Sequence, residues 1–201
     1  IEVIGARITR FERDEVVEII ESNDPLSWIS NYQLRMGETP SWVIQELDLP
    51  KFTGGLVGYF GYDTIQYVEP RIAKTLPEND PIGSSDILLM RSDDVVVFDN
   101  LSGMLTLITH ANPQEAGAFE AAYERLDDML DDLALAMDPS AFCPSEHKLI
   151  TGADFRYSLE KAAFEQAVRE VKEYIQAGDV MQAVLSQRIT VPFAESPLSL
   201  Y

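Results

Sequence analysis

The sequence is short of several residue types, and each shortage argues against a class of protein. Cys143 is the only cysteine among the 201 residues, so no intrachain disulfide can form and a reducing compartment is expected. The two histidines, His110 and His147, have no partners at metal-ligand spacing, which argues against a zinc site. A Gly-x-Ser-x-Gly motif is also absent, so nothing supports a serine nucleophile of that type.

Basic residues and long apolar runs are scarce as well. Lysine and arginine number 15 against 34 acidic residues, and the net charge is −19. This excess disfavours binding to nucleic acid or to an anionic membrane surface. No apolar run approaches the roughly 20 residues of a membrane span, and the first residues do not resemble a signal peptide. With 46% hydrophobic residues, the sequence predicts a globular cytoplasmic protein.

Most of the chain predicts an α+β fold in which antiparallel sheets pack with helices. Residues 1–20 are expected to form a hairpin with its turn at 12–14. Asp24 and Pro25 are expected to begin a helix that ends at Gly37. Residues 64–85 contain three prolines and no clear period, which predicts a loop. Three short strands are then expected to form an antiparallel meander, at residues 86–90, 95–98 and 104–109.

A long helix is predicted over residues 115–137. Its polar face carries four aspartates, which we expect to be solvated because an EF-hand needs its ligands on a glycine-containing loop. They are Asp127, Asp128, Asp131 and Asp132. Residues 139–153 have the composition of a linker, so a domain boundary is placed near residue 150. This gives an N-terminal α+β domain at 1–150 and the start of a second domain at 151–201.

The segment Gly54–Asp63 has four glycines within eight positions. It lacks the motifs of a phosphate-binding loop, since no Gly-Lys-Ser/Thr follows and no Gly-x-Gly-x-x-Gly leads into a helix. The aromatic and β-branched residues between the glycines instead predict a strand that another backbone or a bulky ring approaches closely.

The segment 164–188 predicts a helix, a stop at Gly178 and a strand. Apolar residues recur at helical spacing before the glycine and alternate with polar ones after it. Gln182, Ser186 and Arg188 fall on one face of that strand. This face either meets water or lines a site, and alternation alone leaves both open.

Two consecutive stretches of this segment form one motif that resembles the beginning of the catalytic half of chorismate-utilising enzymes. They are Lys172-Glu173-Tyr174-Ile175-Gln176-Ala177-Gly178-Asp179 and Gln182-Ala183-Val184-Leu185-Ser186-Gln187-Arg188. The stretch 54–63 is similar to a second family segment, Gly-Gly-x-x-Gly-Tyr-x-x-Tyr-Asp, and comes in the same order. The closest resemblance is to anthranilate synthase component I, since Val184 stands where aminodeoxychorismate synthases usually have asparagine.

The resemblance implies an enzyme that converts chorismate and ammonia to anthranilate and pyruvate, with Mg²⁺. It also implies a glutamine amidotransferase partner and tryptophan as feedback inhibitor. The family's Leu-Leu-Glu-Ser signature for inhibitory tryptophan is expected upstream of Ile1, so we treat Glu21-Ser22 as a coincidence. The chain is therefore expected to be a truncated part of such an enzyme, inactive alone and without bound cofactor.

The resemblance also suggests roles for three residues. Gln182 matches the position where isochorismate synthases have a lysine that activates water. Ammonia needs no such base, so an amide that orients the nucleophile suits amination, and Gln182 is the catalytic candidate. Ser186 and Arg188 are the substrate-binding candidates. No metal ligand is assigned, because the family's Mg²⁺ carboxylates match nothing before Tyr201.

Three alternatives remain open from the sequence. The first is aminodeoxychorismate synthase component I, which catalyses related chemistry. The second is a noncatalytic regulatory or partner-binding module. The third is an unrelated acidic interaction domain, which would require two ordered motif matches to be accidental.

Overall fold

The computed structural model describes residues 1–37, 39–77, 80–135, 150–194 and 197. The chain divides into two compact units, Ile1–Leu135 and Ala136–Tyr201. The linker predicted at 139–153 falls mostly outside the described residues, as do Cys143 and His147. The domain boundary near residue 150 therefore stays a prediction. Among the described residues, no helix has the length and apolar character needed to cross a membrane.

A five-stranded antiparallel sheet forms the centre of the first unit. Its strands lie in the order β3-β2-β1-β5-β4. They are β1 Glu2–Ile4, β2 Arg7–Glu12, β3 Glu15–Glu21, β4 Gly55–Phe60 and β5 Ile87–Ser92. The predicted hairpin is confirmed as β2 and β3, whose turn has positive φ at Arg13 and Asp14. Residues 1–10 contain two strands, because Gly5 turns the chain with φ +57°.

One face of the sheet packs against helix α1, Pro25–Met36. The fully buried residues alternate along the strands, as a half-buried sheet requires. The core consists of Val3, Ile8, Ile29, Ile87 and Leu89. The predicted limits of α1 are confirmed, since Asp24 Oδ1 accepts from the Ser27 N–H at 3.0 Å and Gly37 ends the helix with φ +80°.

The predicted meander is wrong at its first strand. β5 lies between β1 and β4, whereas the other two strands form a separate hairpin of β6 Asp94–Asp99 and β7 Met104–Thr109. The reason is burial on β5, where Ile87 and Leu89 complete the core with residues from the start of the chain. Proximity along the chain correctly predicted the pairing of β6 with β7, but it predicted the wrong neighbour for β5.

The loop predicted at 64–85 is also partly wrong. After helix α2, Ser41–Glu46, and strand β4, a 3₁₀ turn at Tyr62–Thr64 leads into two short helices. These are α3 Ile65–Val68 and α4 Pro70–Ala73. Pro70 occupies the first position of α4, where proline favours helix initiation because its missing N–H is not needed.

Helix α5, Ala118–Ala134, lies within the segment predicted to be helical and packs on β7. Arg125 joins the two elements, donating to Thr109 Oγ1 at 2.9 Å and to the His110 carbonyl oxygen at 2.6 Å. The aspartates at 127, 128, 131 and 132 are all exposed, which confirms the predicted solvated face.

The second unit contains helix α6, Lys161–Ala177, and a two-stranded sheet of β8 Arg156–Tyr157 and β9 Ile189–Thr190. Gly178 ends α6 in the left-handed conformation, with φ +83°, as predicted. The strand predicted from Met181 to Ile189 is wrong for all but its last residue, because 181–188 have no regular secondary structure. Its only ladder partner in the described residues is the two-residue β8.

Candidate functional site

The three residues predicted for the site lie in the irregular segment between α6 and β9. Gln182, Ser186 and Arg188 are all exposed, and no strand aligns them on a common face. The structure places them in one short segment without bringing them together as a site. Their catalytic and substrate-binding roles therefore remain predictions.

The C-terminal end of this segment is anchored through the backbone. Arg188 donates its N–H to Ser158 Oγ at 2.9 Å, and its carbonyl oxygen accepts from the Ser158 N–H at 2.9 Å. These bonds extend the pairing of β8 with β9 by one residue and leave the Arg188 guanidinium free of that task. The backbone of Arg188 is thus held by hydrogen bonds while its side chain is exposed to solvent.

Gln187 is a residue that the sequence did not single out. Its Oε1 atom is buried, and no hydrogen-bond partner lies within the described part of the chain. A buried amide oxygen without a partner is unusual, because leaving it unsatisfied costs about 1–3 kcal/mol. Gln187 falls on the face of the predicted strand that is otherwise apolar, and this departure from the alternation is the signal that the sequence offered for it.

A second polar cluster surrounds Asp86 in the first unit. Asp86 Oδ2 accepts from the Gly5 N–H at 2.7 Å and from the Tyr67 hydroxyl at 2.7 Å. The Tyr67 oxygen also lies 2.8 Å from the Gly5 carbonyl oxygen. Burial is the main cause that raises the pKa of the Tyr67 phenol, and the interaction with Asp86 raises it further. The phenol therefore stays protonated and donates a hydrogen bond. The cluster fastens α3 to the β1–β2 turn and has a structural role.

A cleft of about 580 Å³ lies at the end of the five-stranded sheet where β1 is shorter than its neighbours. Its lining includes Arg10, Arg91, Leu88 and Met90. Chorismate carries two carboxylates, which would need unpaired cations. Arg10 is paired with Glu12 and Glu18, and Arg91 with Asp93. These hydrogen bonds raise the pKa of both guanidiniums, and the three carboxylates offset the positive charge that would attract a dianion.

The described residues do not fit a Mg²⁺ site. Within residues 1–37, 39–77, 80–135 and 150–194, no group of three acidic, histidine or cysteine side chains converges. Mg²⁺ prefers an octahedral set of oxygen ligands, in which carboxylates are the usual protein contribution. We therefore derive no chemical step through a metal at these residues.

Comparison with known proteins identifies the family. Residues 6–201 match the family model described as chorismate binding enzyme. The chain belongs to the chorismate binding enzyme family. The resemblance inferred from the motifs at 54–63 and 172–188 is thereby confirmed.

Relatives within this family are similar over almost the whole chain. Anthranilate synthase component 1 of Pseudomonas aeruginosa is 42% identical over 184 residues, covering 92% of this chain and 36% of the relative. The protein of the same name from Neisseria meningitidis serogroup B is 39% identical over 201 residues, covering 98% of this chain and 38% of the relative. The chain thus spans little more than a third of the length of these relatives.

A solved structure supports the fold. Anthranilate synthase component I from Streptococcus pneumoniae TIGR4 superposes with a TM-score of 0.69, covering 98% of this chain and 42% of that one. Its sequence identity is 22%, so it is evidence for the fold alone. The predicted α+β class, with antiparallel sheets and helices, is confirmed.

Proposed function

We propose that this chain forms part of an anthranilate synthase component I of tryptophan biosynthesis. The whole enzyme would convert chorismate and ammonia to anthranilate, pyruvate and water in the cytoplasm. The observation that carries the proposal is the 42% identity to the Pseudomonas aeruginosa protein over 92% of the chain. Val184, inside the motif shared with the family, favours anthranilate as the product over aminodeoxychorismate.

The remaining components of the proposal come from the resemblance. A glutamine amidotransferase subunit would supply ammonia, and tryptophan would inhibit the whole enzyme. Mg²⁺ would bind together with chorismate at carboxylates outside the described residues, because the described residues contain no group of three potential metal ligands. The carboxylates paired with both arginines of the cleft also offset the positive charge that would attract a dianion. We therefore expect the 201-residue chain to be inactive alone.

Gln182 is the residue that we propose for catalysis. Its carboxamide can accept a hydrogen bond from ammonia and donate one to a substrate oxygen, so it can orient the nucleophile without acting as a base. Its exposure leaves the amide available to a substrate. Ser186 and Arg188 would bind chorismate through a hydroxyl and a guanidinium, the latter suited to a carboxylate.

A chimera tests the proposed function directly. The chain would replace the matched region of the Pseudomonas aeruginosa protein, and anthranilate would be measured by its fluorescence with chorismate, ammonia and Mg²⁺. We expect turnover by the chimera and none by the purified chain. Formation of aminodeoxychorismate would support the alternative enzyme, and a folded chimera without any product would contradict the proposal.

A further inference from the structure

We draw no further inference here: the strongest candidate, the Gln187 amide oxygen buried in the segment between α6 and β9, belongs to the candidate site already described, and nothing in the described part of the chain shows which donor would reach it.

Discussion

Gly58 offers a direct test of how β4 and β5 are held together. A Cβ atom at this position would lie 2.9 Å from both Leu88 C and Leu89 Cα, and it would overlap the Leu88 carbonyl oxygen. The φ angle of Gly58 lies outside the left-handed region, so alanine could adopt its backbone conformation. The close approach of the neighbouring strand is therefore the reason that glycine is required.

The expected cost of Gly58→Ala follows from this overlap. The clash is with backbone atoms, which cannot rotate away, so β4 must separate from β5. Overpacking of this kind costs about 1–3 kcal/mol. Weakening two ladder hydrogen bonds adds about 1 kcal/mol each. The sum of about 3–5 kcal/mol corresponds to a fall in melting temperature of about 10 to 20 °C for a unit of this size.

Thermal denaturation followed by circular dichroism measures the effect. Alanine substitutions at two other glycines provide the comparison. In Gly152→Ala the added Cβ atom has no neighbour within 4 Å, so this variant should melt at the same temperature as the parent. Gly61→Ala would bring a Cβ to 3.0 Å from the Asp86 carbonyl oxygen, so its effect should be intermediate. If Gly58→Ala melted within about 2 °C of the parent, the argument from strand approach would be refuted.

Three further predictions concern polar side chains. Tyr67→Phe should lower the free energy of unfolding by about 1–2 kcal/mol in urea denaturation, with Tyr62→Phe as an exposed control. Because the pKa of the Tyr67 phenol is raised in the folded state, the stability of the parent should also fall above about pH 10, and that of Tyr67→Phe should fall less. Arg125→Lys should cost about 1 kcal/mol, since an ammonium cannot reproduce the forked contacts to β7. In the chimera, Gln182→Ala should lower the rate of anthranilate formation by about 10 to 100-fold, whereas Gln176→Ala should not.

The elements that the sequence predicted well are those with local signals. Asp24, Pro25 and Gly37 set the limits of α1 because a cap, a first-turn proline and a left-handed residue act within a few positions. Gly178 ends α6 for the same reason. The close backbone approach predicted for the glycine-rich strand is confirmed at Gly58, where only the absence of a side chain permits it.

The elements that the sequence missed depend on distant partners. β5 pairs with β1 across more than 80 residues, and nothing in its own pattern specifies that neighbour. The Asp86 cluster likewise joins a turn at Gly5 to Tyr67 on α3, three segments with no common period. A single sequence reveals which face of a strand is buried much more readily than which strand lies beside it.

The segment 181–188 shows how this limit affects the candidate site. Alternation of polar and apolar residues predicted a strand with Gln182, Ser186 and Arg188 on one face, but a strand requires a neighbour to bond its backbone. In the described residues β8 supplies such a neighbour only at Ile189 and Thr190, followed by the Ser158 contacts to Arg188. The role of Gln182 was predicted from the sequence motif, whereas the strand was predicted from alternation and needs a paired neighbour. The irregular backbone at 181–188 therefore contradicts the predicted strand and is no evidence against the role of Gln182. It makes the orientation of the amide depend on what packs beside this segment.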